Sequence, residues 1–136
     1  MTVIELARRA GVTADTVRHY TRSGLLIPQR DGSNGYNRYS SSDLARLLFI
    51  RKAKQLGFSL EDIRQILKES GHGQSPCPHV RKIMEQRIRE VRSRIRDLRK
   101  LQKRMEQAVE LWSHLPDALP DGNAVCHLIE KISMEA

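Results

Sequence analysis

The chain runs from Val80 to Trp112 without a glycine or a proline, a stretch of 33 residues. At about 1.5 Å per residue, this predicts a helix roughly 50 Å long, too long to pack only on the small segment before it. Its apolar residues recur at intervals of three and four, a narrow stripe typical of a coiled-coil seam. They are Met84, Ile88, Val91, Ile95, Leu98, Leu101, Met105, Ala108 and Trp112. We therefore expect the helix to pair with a partner helix.

The first residues of the chain predict two short helices joined by a tight turn. Thr2 and Glu5 form a capping box ahead of a helix that Gly11 ends. Thr13 caps a second helix over Ala14–Arg22. This spacing is typical of a helix-turn-helix, in which the second helix enters the major groove of DNA.

An extended segment and two further helices follow. Between Leu25 and Tyr39 a tip rich in glycine and asparagine predicts a β-hairpin, and a basic hairpin in this place would form a wing. Helix resumes at Ser41 or Ser42 and continues to about residue 56. Ser59 with Asp62 then forms a second capping box, which opens a helix over residues 60–69.

The expected organisation is mainly all-α, with a small β-hairpin wing, a long antiparallel coiled-coil dimerisation helix and a short C-terminal helix. Asn123 is expected to cap that last helix, which would run from Ala124 to about Met134. The expected division is a winged helix-turn-helix domain at 1–70, a linker and start of an effector site at 71–79, a dimerisation helix at 80–112, and an effector-binding loop with the C-terminal helix at 113–136.

Charge narrows the class of partner. The chain has 24 Lys and Arg against 16 Asp and Glu, a net charge of +8, which favours a polyanion. The excess is +5 before Cys77, +6 from there to Trp112 and −3 beyond. Aromatic residues make up 4%, too few for the stacking surfaces of single-strand binders, so duplex DNA is the expected partner.

Other classes of protein lack support in the sequence. The sequence shows no paired carboxylates in a pocket-forming context, no glycine-rich phosphate loop and no Ser-His-Asp arrangement, so we expect no enzyme. No apolar run approaches the ~18 residues of a membrane span, and the N-terminus lacks the layout of a signal peptide. We therefore expect a cytoplasmic protein without a membrane partner, whose two cysteines stay reduced.

Both cysteines are expected at helix starts. Cys77 lies between two prolines, and Pro78 suits the first helical position, which makes Cys77 the expected N-cap of the long helix. Cys126 falls in the first turn of the expected last helix. Because the helix dipole favours a thiolate at either place, the two thiols are candidates for a soft-metal clip.

Several ordered motifs resemble the MerR family of transcriptional regulators. They are Ile4-Glu-Leu-Ala7, Thr16-Val-Arg18-His-Tyr20, Gly24-Leu25-Leu26, Gly35-Tyr-Asn-Arg-Tyr39 and Leu56-Gly57-Phe58-Ser59-Leu60, followed by the long helix and the short C-terminal segment. The resemblance covers the whole chain and is strongest to the divalent heavy-metal-responsive branch. It implies a homodimer joined through residues 80–112. The dimer would bend and untwist a promoter spacer and so act on RNA polymerase there.

The resemblance also implies the residues that contact DNA. On the second helix and its cap these are Thr13, Thr16, Arg18 and Tyr20, and on the wing they are Tyr36 and Arg38. The remaining basic side chains of this region are expected to be solvated or to make general phosphate contacts; they include Arg22, Arg30, Arg51, Lys52 and Lys54.

Cys77 at the start of the long helix resembles the metal ligand of divalent sensors, in which a loop of the partner subunit completes the site. Zinc, cadmium, lead and mercury are all candidates for the divalent ion at such a site, and zinc is slightly favoured. The segment from Trp112 to Val125 has no cysteine, so further ligands would join Cys77 and Cys126 from His127 first, then His114 or His79, or from Asp117 or Asp121. Zinc accepts such a mixture of thiolate, imidazole and carboxylate.

A second hypothesis stays open. The chain would be a MerR-like DNA-binding dimer without a metal effector, either redox-responsive or an effector-free repressor or architectural protein. In that case the two thiols would be oxidisable groups or small apolar side chains that seal the end of the dimer helix.

Overall fold

The computed structural model describes residues 1–134, which form six helices and one two-stranded sheet. In chain order these are α1 Val3–Ala10, α2 Ala14–Arg22, β1 Gln29–Arg30, β2 Asn37–Arg38, α3 Ser41–Gln55, α4 Leu60–Gly71, α5 Cys77–Trp112 and α6 His127–Glu130. The chain divides into two compact units, Met1–Arg87 and Ile88–Ala136, with the boundary inside α5. None of the described helices is both long enough and apolar enough to cross a membrane.

Local capping signals set the helix starts in the first unit, and they confirm the sequence predictions. Thr2 accepts a hydrogen bond from the backbone N–H of Glu5, and Thr13 caps α2 over the predicted residues. Ser59 and Asp62 form the predicted capping box of α4. A further capping box, Ser40 with Asp43, starts α3.

The first unit holds the hydrophobic core. The buried apolar side chains come from α1 to α4, the segments between them and the first two turns of α5; they are Leu6, Ala7, Ala10, Val17, Leu25, Leu26, Tyr39, Leu47, Ile50, Ala53, Phe58, Ile63, Ile66 and Ile83. Met84, which the sequence places on the seam, packs partly buried against this core. The core therefore fixes the start of α5 to the helix-turn-helix.

The predicted wing is present as an antiparallel hairpin. Gln29 pairs with Arg38, and Arg30 pairs with Asn37. Each strand has only two residues, so the hairpin depends on contacts at its tip and base. At its base the N–H of Tyr39 donates to the carbonyl of Met1 at 2.8 Å, which joins the wing to the start of the chain.

Three helix boundaries differ from the sequence predictions. α4 continues two residues past its predicted end, to Gly71. α5 begins at Cys77, so Cys77 is its first helical residue and its prediction as the N-cap was wrong. The last helix was also predicted wrongly, since α6 is the single turn His127–Glu130 with Cys126 as its N-cap. Asn123 donates its backbone N–H to Asp121 in a turn instead of capping a helix.

In the second unit the apolar stripe of α5 is open to solvent in the single chain. From Ile88 to Leu111 its large side chains are between 41% and 63% exposed; they are Ile88, Val91, Ile95, Leu98, Leu101, Met105, Val109 and Leu111. Near the end of the helix Ala108 and Trp112 are half-buried. An apolar stripe this long and this exposed is typical of a helix that packs against another copy.

Candidate nucleic-acid interface and effector residues

The start of α2 brings two of the predicted DNA-contacting side chains together. Thr13 accepts a hydrogen bond from the N–H of Thr16 at 3.1 Å, and their hydroxyl oxygens lie 2.9 Å apart. Both hydroxyls lie at the N-terminal end of the helix, where unpaired N–H groups and the helix dipole favour an anion such as a phosphate.

Arg18 lies on the outer face of α2 with half of its side chain exposed. Its Nη1 atom donates to Oδ1 of Asp15 at 3.0 Å, and Asp15 itself is almost fully exposed. So exposed a pair is weak, since water screens it and both side chains lose rotamer freedom. The guanidinium is thus held over the surface by a contact that a stronger anion can replace.

The three tyrosines separate by burial. Tyr36 at the wing is 74% exposed, whereas Tyr39 is buried and its hydroxyl lies 2.8 Å from that of Thr21. Tyr20 is half-buried and packs against the core, with its ring centroid 5.7 Å from that of His19. Of the two tyrosines predicted to contact DNA, Tyr36 is therefore the more accessible.

A groove of about 450 Å³ is lined by three arginines of the first unit. Arg18 lines it from α2, Arg30 from β1 and Arg38 from β2, beside Tyr36 and the start of α1. Three guanidinium groups around one groove create a local positive field that attracts phosphates. Arg30 was expected only as a solvated or general phosphate contact, because the sequence does not show that strand pairing places it on the same groove as Arg18.

The wing tip is ordered by one carboxylate. Asp31 accepts hydrogen bonds from the hydroxyl and the N–H of Ser33, at 2.6 and 2.9 Å, and Nε of Arg38 lies 3.6 Å from it. The Ser33 hydroxyl, then its N–H, and also the charge of Arg38 lower the pKa of Asp31 below its usual value. An ionised Asp31 at the wing tip thus gives Arg38 a fixed counter-charge.

Three other arginines bind the backbone of the helix-turn-helix. Arg46 donates to the carbonyl of Leu25 at 2.6 Å, Arg51 to that of Ala10 at 3.0 Å, and Arg64 to that of Ser23 at 2.8 Å. These carbonyls lie at or just after the ends of α1 and α2, where helix carbonyls lack partners within the helix. We call these three side chains the arginine staples. Nothing in the sequence separates Arg51 from the solvated arginines.

Cys77 is exposed, in the first turn of α5. Its backbone N–H donates to Oγ of Ser75 at 3.4 Å. Two residues later, Nδ1 of His79 lies 2.7 Å from Oε1 of Glu69 on α4. Of the ligands proposed in this unit, the thiol is therefore the more open to solvent, while the imidazole already has a carboxylate partner.

The second unit holds the other proposed ligands. Cys126 is half-buried, makes no side-chain capping bond and precedes His127, the first residue of α6. His114 is exposed, with Nε2 3.4 Å from Glu110. Cys77 and Cys126 thus belong to different units. Over residues 1–134, no three His, Cys, Asp or Glu side chains of a single chain are grouped so as to hold a metal ion.

Two family models together match residues 1–108 of the chain. Residues 1–70 match the family described as MerR HTH family regulatory protein, and residues 44–108 match the family described as MerR, DNA binding. The HTH-type transcriptional regulator ZntR of Escherichia coli (strain K12) is 39% identical over 106 residues, covering 76% of this chain and 74% of ZntR. HmrR of Rhizobium leguminosarum bv. viciae is 33% identical over 133 residues, 98% of each chain.

A solved structure supports the same relationship. The transcription regulator PbrR691 from Ralstonia metallidurans CH34, in complex with lead(II), superposes with a TM-score of 0.77 at 26% sequence identity. The match covers 98% of this chain and 99% of PbrR691. It therefore includes the long helix and the C-terminal segment as well as the winged helix-turn-helix.

Proposed function

Because the chain belongs to the MerR family of helix-turn-helix transcriptional regulators, we propose that it controls a promoter in response to a divalent metal ion. It binds duplex DNA as a homodimer joined through residues 80–112. By bending and untwisting the promoter spacer it changes the access of RNA polymerase, a mechanism that uses DNA deformation instead of base contacts at the spacer. It acts in the cytoplasm as a regulator and not as an enzyme.

The cationic groove carries the DNA-binding half of this proposal. Arg18, Arg30 and Arg38 surround it, and the exposed ring of Tyr36 stands at its side. Arg18 lies on the helix that a helix-turn-helix places in the major groove, where it contacts a base edge or a phosphate. The wing arginines contact the backbone beside it. Thr13 and Thr16, at the start of α2, supply hydroxyls to a phosphate, and Tyr20 contacts DNA from the same helix.

The donor chemistry of the two cysteines fits a divalent ion. Cys77 and Cys126 supply thiolates and His127 an imidazole, a set that zinc accepts readily, whereas mercury and lead favour thiolates more strongly. His79 and His114 are the weaker candidates, because each already lies beside a glutamate. When bound, the ion would join Cys77 of one subunit to the C-terminal segment of the other, so dimerisation completes the site.

The first unit contains a route from Cys77 to the DNA-binding helices. Three turns beyond Cys77, Arg87 donates to Asp62 at 2.8 Å, and Asp62 is the capping-box carboxylate of α4. Arg64 of α4 in turn donates to the carbonyl of Ser23 at the end of α2. A force applied at the start of α5 therefore acts on α4 and, through the Arg64 staple, on α2.

Zinc titration of the purified, reduced protein tests the metal half of the proposal. We expect binding at micromolar or tighter affinity by competition with a chromogenic chelator, and a large loss of affinity in Cys77→Ser and in Cys126→Ser. His72→Ala is the matched control, since His72 is exposed near Cys77 and is not a proposed ligand. Failure of the wild-type dimer to bind zinc, cadmium, lead or mercury, or unchanged affinity in Cys77→Ser, would refute metal sensing as stated.

A further inference from the structure

We propose that Trp112 is a positioning residue for the metal-binding segment, through the hydrogen bond from its indole N–H to the carbonyl of Leu128. The role that we assign to this hydrogen bond rests on the proposed function, whereas the bond is observed independently of it. Trp112 is the last residue of α5 and the single tryptophan of the chain. Its Nε1 atom lies 2.7 Å from the carbonyl oxygen of Leu128.

The acceptor of this hydrogen bond lies next to the proposed metal ligands in the sequence. Leu128 directly follows His127 and is two residues from Cys126. The bond spans 16 residues and closes residues 113–127 into a loop anchored at the end of α5. Trp112 thus joins the most regular element of the second unit to the short segment that carries two proposed ligands.

Two further ties order the same segment from the other side of Cys126. Oδ1 of Asp121 accepts from the N–H groups of Asn123 and Ala124, at 2.7 and 2.8 Å. Oε1 of Glu130 accepts from the N–H of Val125 at 3.0 Å. Cys126 therefore lies between a carboxylate-ordered turn before it and the indole bond after it.

The segment needs such ties because α6 is too short to be stable alone. It has four residues, its N-cap makes no side-chain hydrogen bond, and an isolated helix of that length does not persist in water. Without the indole bond, Cys126 and His127 would sample many conformations. Metal binding would then have to order them, and that entropy cost lowers affinity. The bond orients ligands without touching the ion, as outer-shell groups do at other metal sites.

The indole ring and its N–H can be separated experimentally. The ring lines an apolar groove of about 490 Å³ together with Met105, Ala108, Ile129 and Ile132. Trp112→Phe keeps an aromatic ring in this groove but removes the N–H donor together with the five-membered ring that carries it. Trp112→Leu removes all aromatic area, so a similar effect in both variants points to the hydrogen bond, and a much larger effect in Trp112→Leu points to packing.

The first measurement is thiol reactivity in the metal-free dimer, using 5,5′-dithiobis(2-nitrobenzoic acid) at one pH. Cys126 is followed in a Cys77→Ser background and Cys77 in a Cys126→Ser background. We expect Trp112→Phe to raise the rate at Cys126 several-fold and to leave the rate at Cys77 unchanged. Equal acceleration of both thiols, or none at Cys126, would overturn the positioning role, and so would an effect confined to Trp112→Leu.

The second measurement is zinc affinity with both cysteines present. Since one hydrogen bond is worth about a fivefold change in an equilibrium constant, we expect Trp112→Phe to bind zinc about fivefold more weakly. Sedimentation must give the same dimer for wild type and variant. If the wild type binds none of zinc, cadmium, lead and mercury, the proposed metal response fails, but the thiol rates still decide whether Trp112 orders the segment. Equal zinc affinity of Trp112→Phe and wild type would overturn the inference.

Discussion

At the scale of single residues, six arginines of the first unit fall into two groups by what they contact. Arg18, Arg30 and Arg38 line one groove. Asp15 beside Arg18 is exposed and Asp31 lies 3.6 Å from Arg38, so a phosphate could replace either acidic neighbour. The arginine staples bind main-chain carbonyls at 2.6–3.0 Å and hold the helix-turn-helix together. Substitutions in the two groups should therefore affect different measurements.

Arg18→Ala should weaken binding to the operator by roughly tenfold, since it removes a base or phosphate contact. The matched control is Arg22→Ala, which removes a charge from the same helix at a residue outside the groove. Fluorescence anisotropy at fixed salt measures both. Equal affinity of Arg18→Ala and wild type would contradict the placement of α2 in the major groove.

Arg38→Ala should change the salt dependence of binding. If Arg38 contacts one phosphate per subunit, the slope of log K against log salt falls in magnitude by about one for each subunit. Affinity measured from low to moderate salt gives this slope. An unaltered slope would mean that Arg38 stays on Asp31 in the complex.

Arg51→Ala should lower the free energy of unfolding by about 1 kcal/mol, because it leaves the carbonyl of Ala10 without its charged donor. Lys52→Ala is the control, at an exposed neighbour on the same helix. Thermal or urea unfolding compares them. The staple would be unimportant if the two variants lost the same stability.

At the scale of elements, the junction of α4 and α5 depends on Asp62. Burial alone would raise the pKa of Asp62, but the hydrogen bonds from Arg87 and Ser59 outweigh it and lower the pKa below 3.8. A lowered pKa in the folded state means that the carboxylate stabilises the fold above pH 3.8. The contribution is lost as pH falls through the lowered value.

Asp62→Asn should therefore destabilise the protein at pH 7 by roughly 1 kcal/mol, a modest value because the pair is partly exposed. It should have a smaller effect near pH 3. Urea unfolding at the two pH values measures the difference, with Glu61→Gln, the exposed neighbour in the first turn of α4, as the control. An equal loss at both pH values would contradict the charge-dependent role of Asp62.

Elements governed by local signals could be predicted from the sequence, and those governed by distant contacts could not. Thr2, Thr13 and Ser59 cap helices within three residues of themselves, so α1, α2 and α4 start where predicted. α6 was predicted too long because Asp121 forms a turn where Asn123 was expected to cap a helix. The remaining ties are non-local: the Arg51 staple spans 41 residues and the Trp112 bond 16.

At the scale of the whole molecule, the exposed stripe of α5 predicts that the dimer is the working state. Ile95→Asp, near the middle of the stripe, places a charge in the expected seam and should give monomers in sedimentation. Ser93→Asp is the control, since it adds the same charge to the same helix outside the stripe. A dimer that survives Ile95→Asp would refute the seam.

The expected dimer would also present more positive charge to DNA than the single chain does. Two copies carry twice the net charge of +8, which favours association with DNA, although the segment after Trp112 carries −3. Sequence motifs were enough to propose a set of DNA-contacting residues, but they were not enough to propose a complete set of metal ligands. Cys77 and Cys126 lie in separate units, and a site of the proposed kind, shared between subunits, would have no signature in the order of residues along one chain.

The arginine staples have a consequence for how such a protein can evolve. Their acceptors are main-chain carbonyls, which every amino acid supplies, so the staples remain whatever side chains α1 and α2 display. Mutations on the outer face of α2 can thus accumulate without weakening the scaffold beneath it. A duplicated copy of this chain could acquire a different operator by few substitutions while keeping its fold.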